Sequence, residues 1–307
     1  MTDDDNVVTI AEMSPRDGLQ NEKQPVDAET KITLVDRLSR CGLRYIEAGS
    51  FVSPKWVPQM ADSEKVFAGI HRFSGTTYAA LTPNLKGWEH AYQASADEVA
   101  VFASASESFS QRNLNCDVFT SLKRFASVVQ AAKAANKKVR AYISCALDCP
   151  FEGPIAPETV GRLTAALLAM GCYQVSLGDT IGTGTPGRVR TLLRALQSVS
   201  KSHQLALHMH DTYGQAIANI YVGLEEGIRT LDASVGGLGG CPYAKGATGN
   251  VATEDVVYLL EREGLKHGID LDMLIQTGDW ISKQLGKPYN ARAGKALQSR
   301  RNNLCVP

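Results

Sequence analysis

The chain lacks several features that would narrow its class at once. No apolar run approaches the roughly 20 residues of a membrane-spanning helix. There is no excess of either charge: 32 Lys and Arg balance 32 Asp and Glu. That speaks against a nucleic-acid or anionic-membrane surface, which needs a basic patch. The seven cysteines are odd in number and form no C-x-x-C pair, so a disulfide framework is not expected and reduced thiols are. No G-x-G-x-x-G follows the first predicted strand, which weakens a dinucleotide-binding open sheet. Low-complexity linkers are missing too. The opening "MTDDDN" has neither the basic start and apolar core of a secretory signal nor the Arg-rich character of a mitochondrial presequence, so the chain as given reads as cytoplasmic.

What remains is a globular composition, 44% hydrophobic and 21% charged over 307 residues. Short β-branched runs recur, each followed by a helical pattern. They are "VVTIAEM" (7–13), "YIEAGS" (45–50), "TYAAL" (77–81), "EVAVFAS" (98–104), "VRAYISCA" (139–146), "YQVSLGD" (173–179), "LALHMHD" (205–211) and "TLDASVGG" (230–237). Between them lie amphipathic stretches such as "ETKITLVDRLSRCG" (29–42), with Ile32, Val35 and Leu38 at helical spacing and Gly42 as a stop. Eight strands alternating with helices predict parallel β/α units. The count favours an eight-stranded (β/α)8 TIM barrel over a doubly wound sheet. We expect a single catalytic domain over 1–307, with a C-terminal extension from about 266: an extra helix over 270–285 and a mobile tail from Lys287.

Such barrels place their active sites at the C-terminal ends of the strands. Polar residues gather there. The first strand ends in Glu12 and leads to Arg16, Asp17, Gln20 and Asn21; the second carries Glu47; the sixth ends in Asp179. The seventh carries His208, His210 and Asp211, and the eighth leads into "GGLGGCPYAKGATGN" (236–250). His208 and His210, two apart on a strand, share a face, and Met209 points to the helical layer. Two adjacent imidazoles on an interior face suit a shared metal ion better than a purely structural role, because Asp17 and Asn250 supply oxygen donors on the same rim. Two imidazoles, a carboxylate and an amide oxygen favour Mg²⁺ or Mn²⁺ over a closed zinc site. Arg16, beside that carboxylate, would stabilise negative charge on a substrate oxygen. Glu47 and Asp179 fit either acid–base work or the orienting of ligands, and residue type does not decide. Cys241, flanked by glycines and Pro242, is a thiol that a flexible loop can deliver to a closed site. Cys145 and Cys149 read as structural, Cys305 as an exposed redox thiol. Thr253 or a neighbour is expected to cap the helix after the loop.

These segments resemble the 3-hydroxy-3-methylglutaryl-CoA lyase family over nearly the whole chain. The resemblance rests on "RDGLQNE" (16–22), "SFVSPKWVPQM" (50–60), "LTPNLKG" (81–87), "SLGDTIG" (176–182), "HDTYGQAIAN" (210–219) and "GLGGCPYAKGATGNVATED" (237–255). The cysteine loop is its most specific part; the RDG and H-x-H-D elements are shared with other metal-dependent barrel lyases and Claisen-type synthases.

The resemblance implies retro-Claisen cleavage of an acyl-CoA thioester to acetyl-CoA and acetoacetate, in leucine breakdown. It implies a divalent cation on Asp17, His208, His210 and Asn250. Arg16 would stabilise an enolate, Cys241 would be the mobile-loop acid–base catalyst, and Asp17 or His208 would take the hydroxyl proton. Glu47, Asp179 and Glu254 would support catalysis, with Gln20, Asn21 and Lys23 toward the CoA end. A homodimer suits the barrel type. Ala48-Gly49, small where some members carry hydroxyl residues, would widen the acyl pocket. That keeps a longer-branched substrate, such as 3-hydroxy-3-isohexenylglutaryl-CoA, in view as the alternative. A condensing synthase is the more distant one.

Overall fold

The computed structural model describes residues 6–240 and 249–304. Eight parallel strands form a closed barrel in sequence order: β1 (Thr9–Glu12), β2 (Tyr45–Ser50), β3 (Thr77–Leu81), β4 (Glu98–Ser104), β5 (Lys138–Ser144), β6 (Gln174–Asp179), β7 (Leu205–Met209) and β8 (Thr230–Ala233). Pairing of β1 with β8, from Thr9↔Thr230 to Glu12↔Ala233, closes the ring. Closure follows from the connections. Each strand is buried on both faces and has a helix to cover its outer one, so no edge is left unpaired. A two-stranded antiparallel hairpin, Asp148–Cys149 with Gly153–Pro154, interrupts the segment between β5 and β6.

Alternation along the strands divides the core. Outward residues such as Ile46, Val101, Ile143, Val175, Leu207 and Met209 join the helices in one large apolar cluster. Inward residues form a smaller one of Ala11, Met13, Tyr45, Ala79, Leu81, Ala100 and Tyr142. Helix starts follow ordinary capping chemistry: Asp27, Asn84, Ser106, Asp117 and Asp270 each accept a backbone N–H from their own first turn.

One expectation changes, and two helices are added to those read from the pattern. Thr253 does not cap its helix: Ala252 holds the cap position, and the Thr253 hydroxyl donates to Glu12 at 2.7 Å. The tail is helical over Arg292–Leu304, where Asp255 accepts the N–H groups of Arg292 and Ala293. A helix not read from the pattern, Glu107–Leu114, follows β4 and ends at Asn115 in the left-handed region. The expected extra helix is Leu271–Gln284; it packs on the first helix, Ala28–Arg40, with Arg37 stacked over Trp280 at 4.6 Å.

Candidate active site and metal centre

After β1 the chain makes a single π-helical turn, Ser14–Gly18, closed by Gly18 N–H donating to Met13 C=O at 3.1 Å. The turn aims Arg16 and Asp17 over the rim. Glu47 points inward from β2. The Arg16 guanidinium donates to Glu47 Oε2 from Nε (3.0 Å) and Nη2 (2.8 Å), and to Asp17 Oδ1 from Nη1 (2.8 Å). Arg16 is 7% exposed and Glu47 fully buried. A buried cation is tolerable only when its donors are met by anions, and here both sides of the fork are.

His208 and His210 do face the same way. Their Nε2 atoms are 3.3 Å apart, and His208 Nε2 lies 3.7 Å from Asp17 Oδ2. Asp17, His208 and His210 each offer a ligand atom within 4.8 Å of the others. Asn250 joins them through a bridge between His210 and Asn250 that brings the far end of the glycine loop back to β7. Its Nδ2 donates to Asp17 Oδ2 at 2.7 Å, while its Oδ1 and His210 Nδ1 are buried without hydrogen-bond partners. Burial works to raise the Asp17 pKa, but Arg16 and the two imidazoles outweigh it and hold the carboxyl at about 2. Burial and then neighbouring His208 push His210 down to about 4. An ionised carboxylate and a neutral imidazole beside a second ring nitrogen, with the Asn250 amide next to them and its oxygen unpartnered, form a set of donors that fits a divalent cation.

The cluster opens on a cleft of about 510 Å³. Gln20 and Asn21 line it beside Arg16 and Asp17; Leu81, Phe102, Phe109 and Leu114 form an apolar wall. Asn21 Nδ2 donates to Gly240 C=O at 2.8 Å, tying the first motif to the loop. Cys241 itself, and Cys305, lie outside the described residues. The need for glycine at the neck of the loop is steric. Gly249 has φ +89°, and a Cβ there would sit 2.4 Å from Gly239 O, so two backbones meet with no room for a side chain.

Other predicted residues lie away from the cleft. Lys23 is exposed and does not line it. Asp179 shares the outward parity of Val175 and Leu177, is fully buried, and accepts Gly184 N–H at 2.9 Å. Burial lifts its pKa to about 6. Ala48 belongs to the outer core, and a register irregularity between Glu47 and Gly49 turns Gly49 the same way. A Cβ on Gly49 would meet Ser63 Oγ at 2.8 Å, so neither residue sets the width of the cleft. Cys145 and Cys149 are buried, as a structural role requires.

Glu254 is buried behind the loop. Gly236 N–H donates to both its oxygens (3.0 and 2.9 Å) and the Tyr289 hydroxyl to Oε1 (2.9 Å). It anchors the start of the loop from the helical side. Burial lifts its pKa to about 8 against those hydrogen bonds, and Glu12 adds to the rise. A folded value above the unfolded one, 4.5, means that the group's contribution is fully present below about 4.5 and is lost as pH rises to about 8. Urea unfolding at pH 5 and pH 8 should therefore show wild type losing at least about 1 kcal/mol more than Glu254→Gln across that interval. Parallel pH dependence of the two proteins would reject this.

The motif reading missed Tyr142, Arg140, Ser176 and Asp232. An arginine inside the β-run "VRAYISCA" was the available signal, since an inward Arg must have a buried partner.

The HMGL-like family model matches residues 7–281. The chain is 58% identical over 290 residues (94% of this chain, 97% of the relative) to the 3-hydroxy-3-isohexenylglutaryl-CoA/hydroxy-methylglutaryl-CoA lyase of Pseudomonas aeruginosa. The solved hydroxymethylglutaryl-CoA lyase from Pseudomonas aeruginosa superposes with a TM-score of 0.94 at 57% identity, covering 96% of this chain and 98% of that one. An Acinetobacter baumannii HMG-CoA lyase solved with coenzyme A and 3-methylmalate gives 0.92 at 38% identity, covering 96% and 97%. With a matching family model over most of its length and a relative at 58% identity, the chain belongs to the HMGL-like family of (β/α)8-barrel lyases.

Proposed function

We propose that this protein cleaves 3-hydroxy-3-methylglutaryl-CoA to acetyl-CoA and acetoacetate. One observation carries the reading: Arg16 and the Asp17–His208–His210 cluster share one rim of the cleft. A divalent cation held by Asp17, His208, His210 and Asn250, Mg²⁺ or Mn²⁺, supplies Lewis-acid polarisation of the 3-hydroxyl when bound. The Asp17 carboxylate, kept ionised by Arg16, is the group of the cluster suited to take the hydroxyl proton. Loss of that proton makes C3 a ketone carbon, the C2–C3 bond breaks, and its electron pair passes to the thioester as an enolate. Arg16, fixed by Glu47, holds charge opposite to that enolate without reorganising. Cys241 protonates the enolate carbon, and Gln20 and Asn21 line the approach of the CoA arm.

The apolar wall of Leu81, Phe102, Phe109 and Leu114 supports a second substrate, the longer-branched 3-hydroxy-3-isohexenylglutaryl-CoA, which the Pseudomonas relative's name includes. Acetyl-CoA release from both thioesters, with and without EDTA, tests the reading. We expect release from the methyl thioester, abolished by chelator and restored by Mg²⁺ or Mn²⁺. Chelator-insensitive release, or none, would overturn it. Comparable release from the isohexenyl thioester would establish the wider substrate range.

The five described cysteines are buried thiols with no disulfide among them, which suits a cytoplasmic setting. No helix among the described residues is long and apolar enough to cross a membrane. A homodimer is the assembly we expect for the barrel type, measurable by sedimentation equilibrium.

A further inference from the structure

Below the rim the barrel interior carries charge where branched aliphatic side chains usually fill it. Arg140 on β5 and Asp232 on β8 sit three strands apart around the wall and meet across the lumen. Arg140 Nη2 donates to Asp232 Oδ1 at 2.6 Å, and Nη1 to Oδ2 at 3.2 Å. Both side chains are essentially without solvent. The Ser176 hydroxyl donates to Asp232 Oδ2 at 2.6 Å, and His208 Nδ1 lies 3.3 Å from the same oxygen.

The donor and acceptor count decides the ring's protonation pattern. Asp232, charge-paired with Arg140, has only lone pairs to offer. The hydrogen between it and His208 must come from Nδ1, since an unprotonated Nδ1 would set two lone pairs against each other. In the neutral ring, the form able to bind a cation, the remaining nitrogen Nε2 presents its lone pair to the space it shares with His210 Nε2 and Asp17 Oδ2. We propose that Asp232, anchored by Arg140 and Ser176, is a positioning residue that fixes His208 as the Nδ1–H tautomer and so prepares Nε2 as a ligand for a divalent cation.

Arg140 serves the other half of the site as well. Its Nη1 donates to the Tyr142 hydroxyl at 3.1 Å, and that hydroxyl donates to Glu47 Oε2 at 3.1 Å, the oxygen that holds Arg16. One buried guanidinium therefore supports both the ligand histidine and the carboxylate that aims Arg16. Outer partners of this kind typically carry about 10–100-fold in metal affinity.

The inference rests on the metal part of the proposed function, and two measurements on the full chain separate them. In the first, free Mn²⁺ is titrated with wild type and with Asp232→Asn and read by EPR. Wild type is expected to bind, and Asp232→Asn to bind about 10–100-fold more weakly with its circular dichroism unchanged. Wild type that leaves the Mn²⁺ signal unaltered overturns the metal reading and this inference with it. Wild type that binds, beside a folded Asp232→Asn that binds within twofold of it, overturns the inference alone.

The second measurement needs no variant of Asp232, because leaving Arg140 uncompensated can itself prevent folding. Long-range ¹H–¹⁵N spectra of ¹⁵N-histidine protein loaded with Mg²⁺, with His208 assigned by His208→Gln, report its tautomer. A proton on Nδ1 is expected, and a proton on Nε2 overturns the proposal.

Discussion

Arg16→Met is expected to lower kcat for thioester cleavage by about 10²–10³-fold or more, because it removes a preorganised cation from a site shielded from water. The buried setting makes this residue more than a single hydrogen-bond donor. Its fork meets Glu47 twice and Asp17 once. Taking it away strands the Glu47 carboxylate in the barrel interior, a loss of about 3–5 kcal/mol when one partner of a buried pair is removed. Rate and stability then fall together, and the double variant Arg16→Met/Glu47→Gln separates them. It should recover most of the stability, read by urea unfolding, and none of the rate. Arg16→Lys keeps the charge without the planar fork and should fall between wild type and Arg16→Met. A folded Arg16→Met with near-normal kcat would remove the residue from the mechanism.

The second large effect is expected at Cys241. Cys241→Ala should lower kcat by about 10²–10⁴-fold, the range of a positioned acid or base, and leave Mn²⁺ affinity and thermal stability unchanged. The physical basis comes from both sides of the loop. Gly240, the preceding residue, lines the cleft and is tied by its carbonyl to Asn21. At the other end Gly249 and Asn250 are locked against Gly239 and Asp17. The thiol is therefore carried on a span whose two ends are fixed at the mouth of the site. Cys172→Ala is the control: burial pushes that thiol up to about 12, outside any useful range for proton transfer near neutrality. Single-turnover rates for the two variants distinguish a catalytic thiol from a packing one. Equal rates in Cys241→Ala and Cys172→Ala would refute the assignment.

Much of this site was legible in the sequence because its information is local. A period of two along "LALHMHD" places His208 and His210 on one face and Met209 on the other, whatever the strand packs against. Eight apolar runs separated by helical patterns leave few ways to bury both faces of every strand, and a closed barrel is one of them. Rim position follows for the loop residues Arg16 and Asp17 and for the inward-facing histidines, because active sites of such barrels form at the C-terminal ends of the strands.

Local period fails where facing depends on which strands meet or where the alternation breaks. Arg140 and Asp232 are 92 residues apart, and nothing in either strand says that they pair; barrel closure brings them across the lumen. Asp179 ends a strand and so is expected at the rim, yet it turns to the backbone N–H of Gly184; Glu254, which the resemblance implies supports catalysis, turns to that of Gly236. Ala48-Gly49 is expected to widen the acyl pocket, but Ala48 faces the helices by alternation and the register irregularity after Glu47 turns Gly49 the same way. By itself the sequence determined the fold class, the strand faces and the motifs that meet at the rim. The tertiary structure alone decided which carboxylates touch the cleft and which hold up its walls, because a buried charge goes wherever its partner lies.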